Sequence, residues 1–116
     1  MRELRWLGDS LDDLSDCPKD VKRAFGHALR EVQKGETPAG AKPLTRFGPG
    51  VWELRDSFQG DAFRAVYMVR LVKAVYVLHV FKKKSKSGIA MPREDVALIA
   101  ERLRRARAID AMEDKP

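Results

Sequence analysis

Three strand-like segments crowd between Val51 and Phe81, and they commit the chain to a sheet. Val51-Trp52-Glu53-Leu54-Arg55 alternates apolar and polar residues. Phe63 to Arg70 puts Arg64, Val66, Met68 and Arg70 on one face and Phe63, Ala65, Tyr67 and Val69 on the other. Ala74 to Phe81 is apolar nearly throughout. Only short connections separate the three, at Gln59-Gly60 and Val72-Lys73, so an antiparallel meander is expected.

The rest of the chain supplies helices. Residues 2–7 read as a short first strand. Gly8-Asp9-Ser10 then offers a break and an N-cap for a turn over Leu11 to Leu14. From Pro18 to Lys34, Val21, Phe25, Ala28, Leu29 and Val32 recur at helical spacing, and Gly35 is placed to cap the end. Residues 35–50 hold four Gly and three Pro and read as a long loop, a length often tied to function. Pro92 opens a last helix with Val96, Ile99, Ala100, Leu103 and Ala106 as its buried stripe, and the tail after Ile109 is expected to fray. The order β-α-α-β-β-β-α predicts a single α+β domain over residues 1–116, with helices on one face of a small sheet and the other face partly open.

Charge narrows the function. The net charge is +6 with a pI near 9.7. Lys82 to Arg107 carries nine basic residues against Glu94, Asp95 and Glu101, a charge equal to the whole excess. Such a balance permits a polyanionic partner without demanding one. The single Cys17 excludes an internal disulfide and a cysteine-cage zinc site. No apolar run reaches about 18 residues and no signal-peptide core opens the chain, so a cytoplasmic protein without membrane contact is expected.

The hairpin register brings chemistry together. With Gln59-Gly60 as a two-residue turn, Arg55 faces Arg64 and Glu53 faces Val66. Two opposed arginines need an anion between them or a carboxylate beside them, and Glu53 shares their face. An even-length second turn would add His79, Phe81 and Lys83, with Lys82 and Lys84 at the strand end. Arginines suit a phosphate by bidentate geometry and also suit the extra charge of a phosphorane. Clustered cations lower a lysine's pKa, fitting it for proton transfer. No metal and no other cofactor is called for.

Each residue also has a plainer reading. Glu53 and Arg55 read equally as an exposed strand face, His79 as a half-buried core histidine, and the lysine run as a solvated strand exit. Arg102, Arg104, Arg105 and Arg107 read as the wet face of the last helix. Trp52, Tyr67 and Tyr76 read as packing, with base stacking open to any exposed ring. Cys17 reads as structural.

Three segments, taken in order and spacing, carry a resemblance: Leu44-Thr45-Arg46-Phe47-Gly48-Pro49-Gly50-Val51-Trp52-Glu53-Leu54-Arg55, then Phe63-Arg64-Ala65-Val66-Tyr67, then Leu78-His79-Val80-Phe81-Lys82-Lys83-Lys84-Ser85. Together they resemble the phage-derived HigB-like branch of the RelE/ParE toxin superfamily, over roughly residues 2–107. The resemblance implies a RelE-like fold and a type II toxin, a metal-independent endoribonuclease that cuts mRNA in the ribosomal A site. It implies a helix-turn-helix antitoxin as partner, with operator DNA bound only through the pair. Arg64 matches the family's phosphate-stabilising arginine and Lys84 its late-strand basic residue. Arg55 and Glu53 fall where RelE has two basic residues, so Glu53 is a departure that fits a base or a brace. Lys83 is a further candidate acid, and Lys82, Lys86, Arg46 and His79 fall to RNA or ribosome contact. The family's C-terminal tyrosine has no counterpart: Ala90 sits near its place and no tyrosine follows Tyr76. Two other readings stay open: a ParE-type protein that binds gyrase without cutting RNA, and a generic basic nucleic-acid-binding module.

Overall fold

The computed structural model describes residues 1–69, 73–83 and 91–114. Lys84 and Lys86 therefore lie outside the described residues. The elements are β1 (Glu3–Trp6), α1 (Ser10–Ser15), α2 (Lys19–Gln33), β2 (Lys42–Pro43), a 3-10 turn (Thr45–Phe47), β3 (Val51–Phe58), β4 (Asp61–Met68), β5 (Ala74–Lys83) and α3 (Arg93–Glu113). They form one sheet in the order β1-β5-β4-β3-β2, antiparallel except where β1 runs parallel to β5. The α+β class and the expected element order hold, with the two-residue β2 added inside the long loop.

Local chemistry accounts for the elements. Helix α2 buries Val21, Phe25, Leu29 and Val32, a stripe spaced four, four and three. It ends in a Schellman arrangement: Gly35, at φ 90°, donates to the Val32 carbonyl, and Glu36 donates to the Glu31 carbonyl. The β3–β4 hairpin turns through Gln59 and Gly60, both at positive φ, as a two-residue type I′ turn requires. Its pairing sets Arg55 against Arg64 and Glu53 against Val66, the expected register.

The placement of helices departs from expectation. Helix α2 covers one face, packing on Leu54, Ala65, Tyr67, Val75 and Val77. Helix α3 lies on the opposite face, where Ile99, Leu103 and Ala106 meet Val66, Met68, Tyr76 and Leu78. The reason is in β5: its residues 74–80 are buried at both parities, so the strand needs a cover on each side. Helix α3 also continues past the expected end near Ile109. Glu113 is held by an ion pair from Arg5, and its carbonyl accepts from Lys73 at 2.6 Å.

A bulge interrupts β5. Val66 pairs with His79 and Tyr67 with Val77, leaving Leu78 without a partner on β4. Tyr76 and Leu78 face α3, and after the bulge the odd residues His79, Phe81 and Lys83 do. Those three therefore share a face with Arg64 as expected, but through an extra residue rather than through turn length. The Leu78 carbonyl accepts from Arg102 Nη1 at 2.9 Å.

Candidate functional site

Helix α3 covers only part of its face, and the charged residues occupy the uncovered end. Register arranges that end in rows across the strands. One row reads Arg55, Arg64, Phe81 from β3 to β5; the next outward reads Ser57, Ala62, Lys83. The row beneath, nearer the helix, reads Lys42, Glu53, Val66, His79.

Glu53 organises the cluster. Its Oε1 accepts from Arg64 Nε at 2.7 Å and lies 3.5 Å from Arg55 Nε. The Glu53 side chain is 6% exposed, that of Arg64 11% and that of Arg55 45%. Arg64 also donates from Nη1 to the Phe63 carbonyl at 3.1 Å. Burial pulls the Arg64 guanidinium below the usual arginine range; the Glu53 carboxylate opposes that, and Arg55 adds to it. An arginine remains a cation at neutral pH even so. The cluster is thus two guanidiniums, one sunk and one at the surface, bridged by a nearly buried carboxylate. It can orient an anion laid along the Arg55–Arg64 row, with small Ala62 and Ser57 as the neighbouring floor.

Strand alternation splits the lysine run. Lys83 shares the cluster's face, whereas Lys82 pairs with Phe63 on the α2 face and is bound to Asp61 at 3.0 Å. Arg46 lies exposed in the 3-10 turn, with its guanidinium 5.6 Å from the centre of the Phe47 ring. His79 is not at the surface: it is 5% exposed, with Nε2 at 2.7 Å from Asp95 Oδ1 and Nδ1 at 3.4 Å from Arg102 Nη1. Direct RNA contact is closed to it, because α3 lands on this histidine through Asp95. Arg102, read from sequence as part of a wet face, is 6% exposed beneath Gly8. Gly8 sits at φ 55°, and a Cβ there would stand 2.6 Å from the guanidinium, so a larger residue would strain the backbone and push Arg102 aside. Arg104, Arg105 and Arg107 are exposed as expected. Cys17 donates its thiol to the Asp13 carbonyl at 3.3 Å, a structural contact.

One residue escaped the sequence reading. Lys42 is brought beside Glu53 by the β2–β3 pairing; the long loop flagged its region but nothing flagged the residue. Phe81, expected alongside the arginines, shares their row as a half-buried ring. Among the described residues, no group of three or more His, Cys, Asp or Glu is arranged to hold a metal ion. Nor, among them, is any helix long and apolar enough to cross a membrane.

Comparison with known proteins bears on the family and the fold. The family described as phage derived protein Gp49-like (DUF891) matches residues 12–104. No curated protein matches the chain. Among solved structures, the free state of an arginine-to-alanine double mutant of the E. coli toxin RelE is similar in fold. Its TM-score is 0.57 at 16% identity, over 90% of this chain and 96% of that one. With most of its length inside the family match and a RelE-like sheet beneath its arginines, the chain belongs to the phage-derived Gp49-like family, a RelE/HigB-like family of toxins from toxin–antitoxin pairs.

Proposed function

We propose that this toxin is an endoribonuclease that cuts mRNA on the ribosome without a metal ion. The observation that carries the reading is the opposed pair Arg55 and Arg64, bridged by Glu53, on the part of the sheet that α3 leaves bare. RNA supplies its own nucleophile. The 2′-oxygen bonds to the adjacent phosphorus as its proton passes to a base, and the bond to the 5′-oxygen breaks as that oxygen takes a proton. The products are a 2′,3′-cyclic phosphate and a free 5′-hydroxyl. Arg64 and Arg55 hold the phosphate and balance the charge that grows on the phosphorane. Lys83, on the same face one row outward, is the described candidate for proton transfer to the leaving oxygen, with Lys84 next to it in the chain. Glu53 is a brace rather than the base: its oxygen is engaged by two guanidiniums and almost shut off from solvent.

Lys82, Lys86 and Arg46 belong to ribosome or RNA-backbone contact in this reading. A helix-turn-helix antitoxin neutralises the toxin, and the pair binds operator DNA together. The test is induction in a bacterial host with primer extension on ribosome-bound mRNA. Growth arrest with new mRNA ends is expected, and Arg64→Ala should abolish both. Arrest and cuts that survive Arg64→Ala together with Lys83→Ala and Lys84→Ala would overturn the assignment.

One observation favours a second reading. Arg64 already spends Nε on Glu53 and Nη1 on a backbone carbonyl, so the cluster is partly self-neutralised before any phosphate arrives. A ParE-type toxin that binds gyrase needs no phosphate there. It would arrest growth with DNA damage and intact mRNA.

A further inference from the structure

We infer that Phe81, backed by His79, is a stacking platform for a nucleobase next to the phosphate held by Arg64. The inference rests on the RNA reading above. Phe81 lies directly across from Arg64 in the β4–β5 pairing, in the same row as Arg55. Neighbouring strands stand about 4.8 Å apart, so Phe81 is the immediate cross-strand neighbour of Arg64.

The ring is held from behind. His79 and Phe81 stack with centroids 4.7 Å apart and planes 15° from parallel. The His79 ring is itself fixed at both nitrogens, by Asp95 at 2.7 Å and Arg102 at 3.4 Å. Asp95 and Arg102 come from one helix, so α3 fixes the orientation of the stack. An aromatic face held in advance loses little conformational freedom on binding a base. Phe81 remains half-buried and lines an open cleft of about 420 Å³ with Phe63, His79, Lys82 and Pro92, a cleft that also carries the carboxylates of Asp13, Asp16, Glu94 and Asp95. The cleft lies where β1, which pairs only with Ala74–Val77, has ended. A base stacked on Phe81 points into that space.

Other rings are held away from that row. Trp52 is held on the α2 face, Tyr67 and Tyr76 are fully buried, and Phe47 is packed against the α3-face core. Phe81 is the ring in line with the arginines.

The experiment compares two single-stranded RNA oligonucleotides of equal length and charge, one ordinary and one with abasic residues. Wild type, Phe81→Tyr, Phe81→Leu and Phe81→Trp are each titrated with both. Wild type should prefer ordinary RNA, and Phe81→Leu should lose about tenfold affinity for it while leaving abasic RNA unchanged. Phe81→Tyr should keep the preference. Fluorescence of Phe81→Trp should be quenched by ordinary RNA beyond the background that Trp6 and Trp52 give in wild type. A general folding defect would weaken both oligonucleotides alike, and that result overturns the platform, as does a quench independent of bases. Base-dependent binding without any mRNA cleavage would overturn the reaction and leave the platform standing. Cleavage with no base preference would do the reverse, and no binding of wild type to either RNA would overturn the platform.

Discussion

The two faces of the sheet are built on opposite principles. Under α2 the contacts are apolar throughout: Val21, Phe25, Leu29 and Val32 on Leu54, Ala65, Tyr67, Val75 and Val77. Under α3 the apolar contacts share the face with Glu53, His79, Arg102 and Asp110, all buried. Burying charge is costly unless every charge finds a partner, so a face that buries Glu53, Arg102 and Asp110 depends on its pairs as well as on apolar contact. The difference teaches a division of labour. One face holds the sheet together, and the other positions guanidiniums and rings at its open end.

The largest effect should come from the apolar face. Phe25→Ala removes a ring that is 2% exposed and is expected to cost about 4 kcal/mol, read as a lowered denaturant midpoint. A loss below about 1 kcal/mol would mean that this face is not the main source of stability.

The charged face should respond through its pairs. Glu53→Gln leaves Arg64 sunk without a carboxylate and facing Arg55, at an expected cost of about 3 kcal/mol. Adding Arg64→Gln should return part of that loss, because the unpaired charge goes with it. Strictly additive losses in this double-mutant cycle would show that the bridge contributes nothing, and the contrast between the faces would narrow to hydrophobic content alone.

The smallest test sharpens the apolar side. Tyr67 is fully buried there, and burial pushes its hydroxyl from 10.0 up to about 12. Between those values the folded chain keeps a proton that the unfolded chain has lost, so rising pH favours unfolding across that window and not below it. From pH 9 to pH 11.5 the stability attributable to Tyr67 should fall by about 2 kcal/mol. Tyr67→Phe should flatten that part of the alkaline profile; an unchanged profile would mean that the hydroxyl reaches water.

Much of this was legible from residue order. The Gln59-Gly60 turn and the alternation on either side fixed the Arg55–Arg64 register, because a one-residue slip would have turned every core side chain outward. Helix α2 was legible from its spacing and its glycine cap. Other features rest on contacts distant in sequence. Nothing in an unbroken apolar run marks Leu78 as a bulge. Arg102 looks like its exposed neighbours until Gly8 and the Leu78 carbonyl are brought to it. The end of α3 depends on Arg5 and Lys73, far away in the chain. One error had an available signal: the double-sided apolarity of β5 already asked for a helix on each face. Alternation separated Lys82 from Lys83 at the outset.

The bulge at Leu78 acts as a phase shift along β5. Before it, even-numbered residues belong to the α3 face; after it, odd-numbered ones do. Pairing Leu78 with Val66, so that the bulge is lost while every residue is kept, would not merely straighten a strand. It would put Val80 and Lys82 opposite α3 and rotate the His79–Phe81 stack and Lys83 away from the arginines, while Val75, Val77 and the first half of the core stayed in register. Core and site are therefore written on one strand in two reading phases, and one unpaired leucine keeps them compatible.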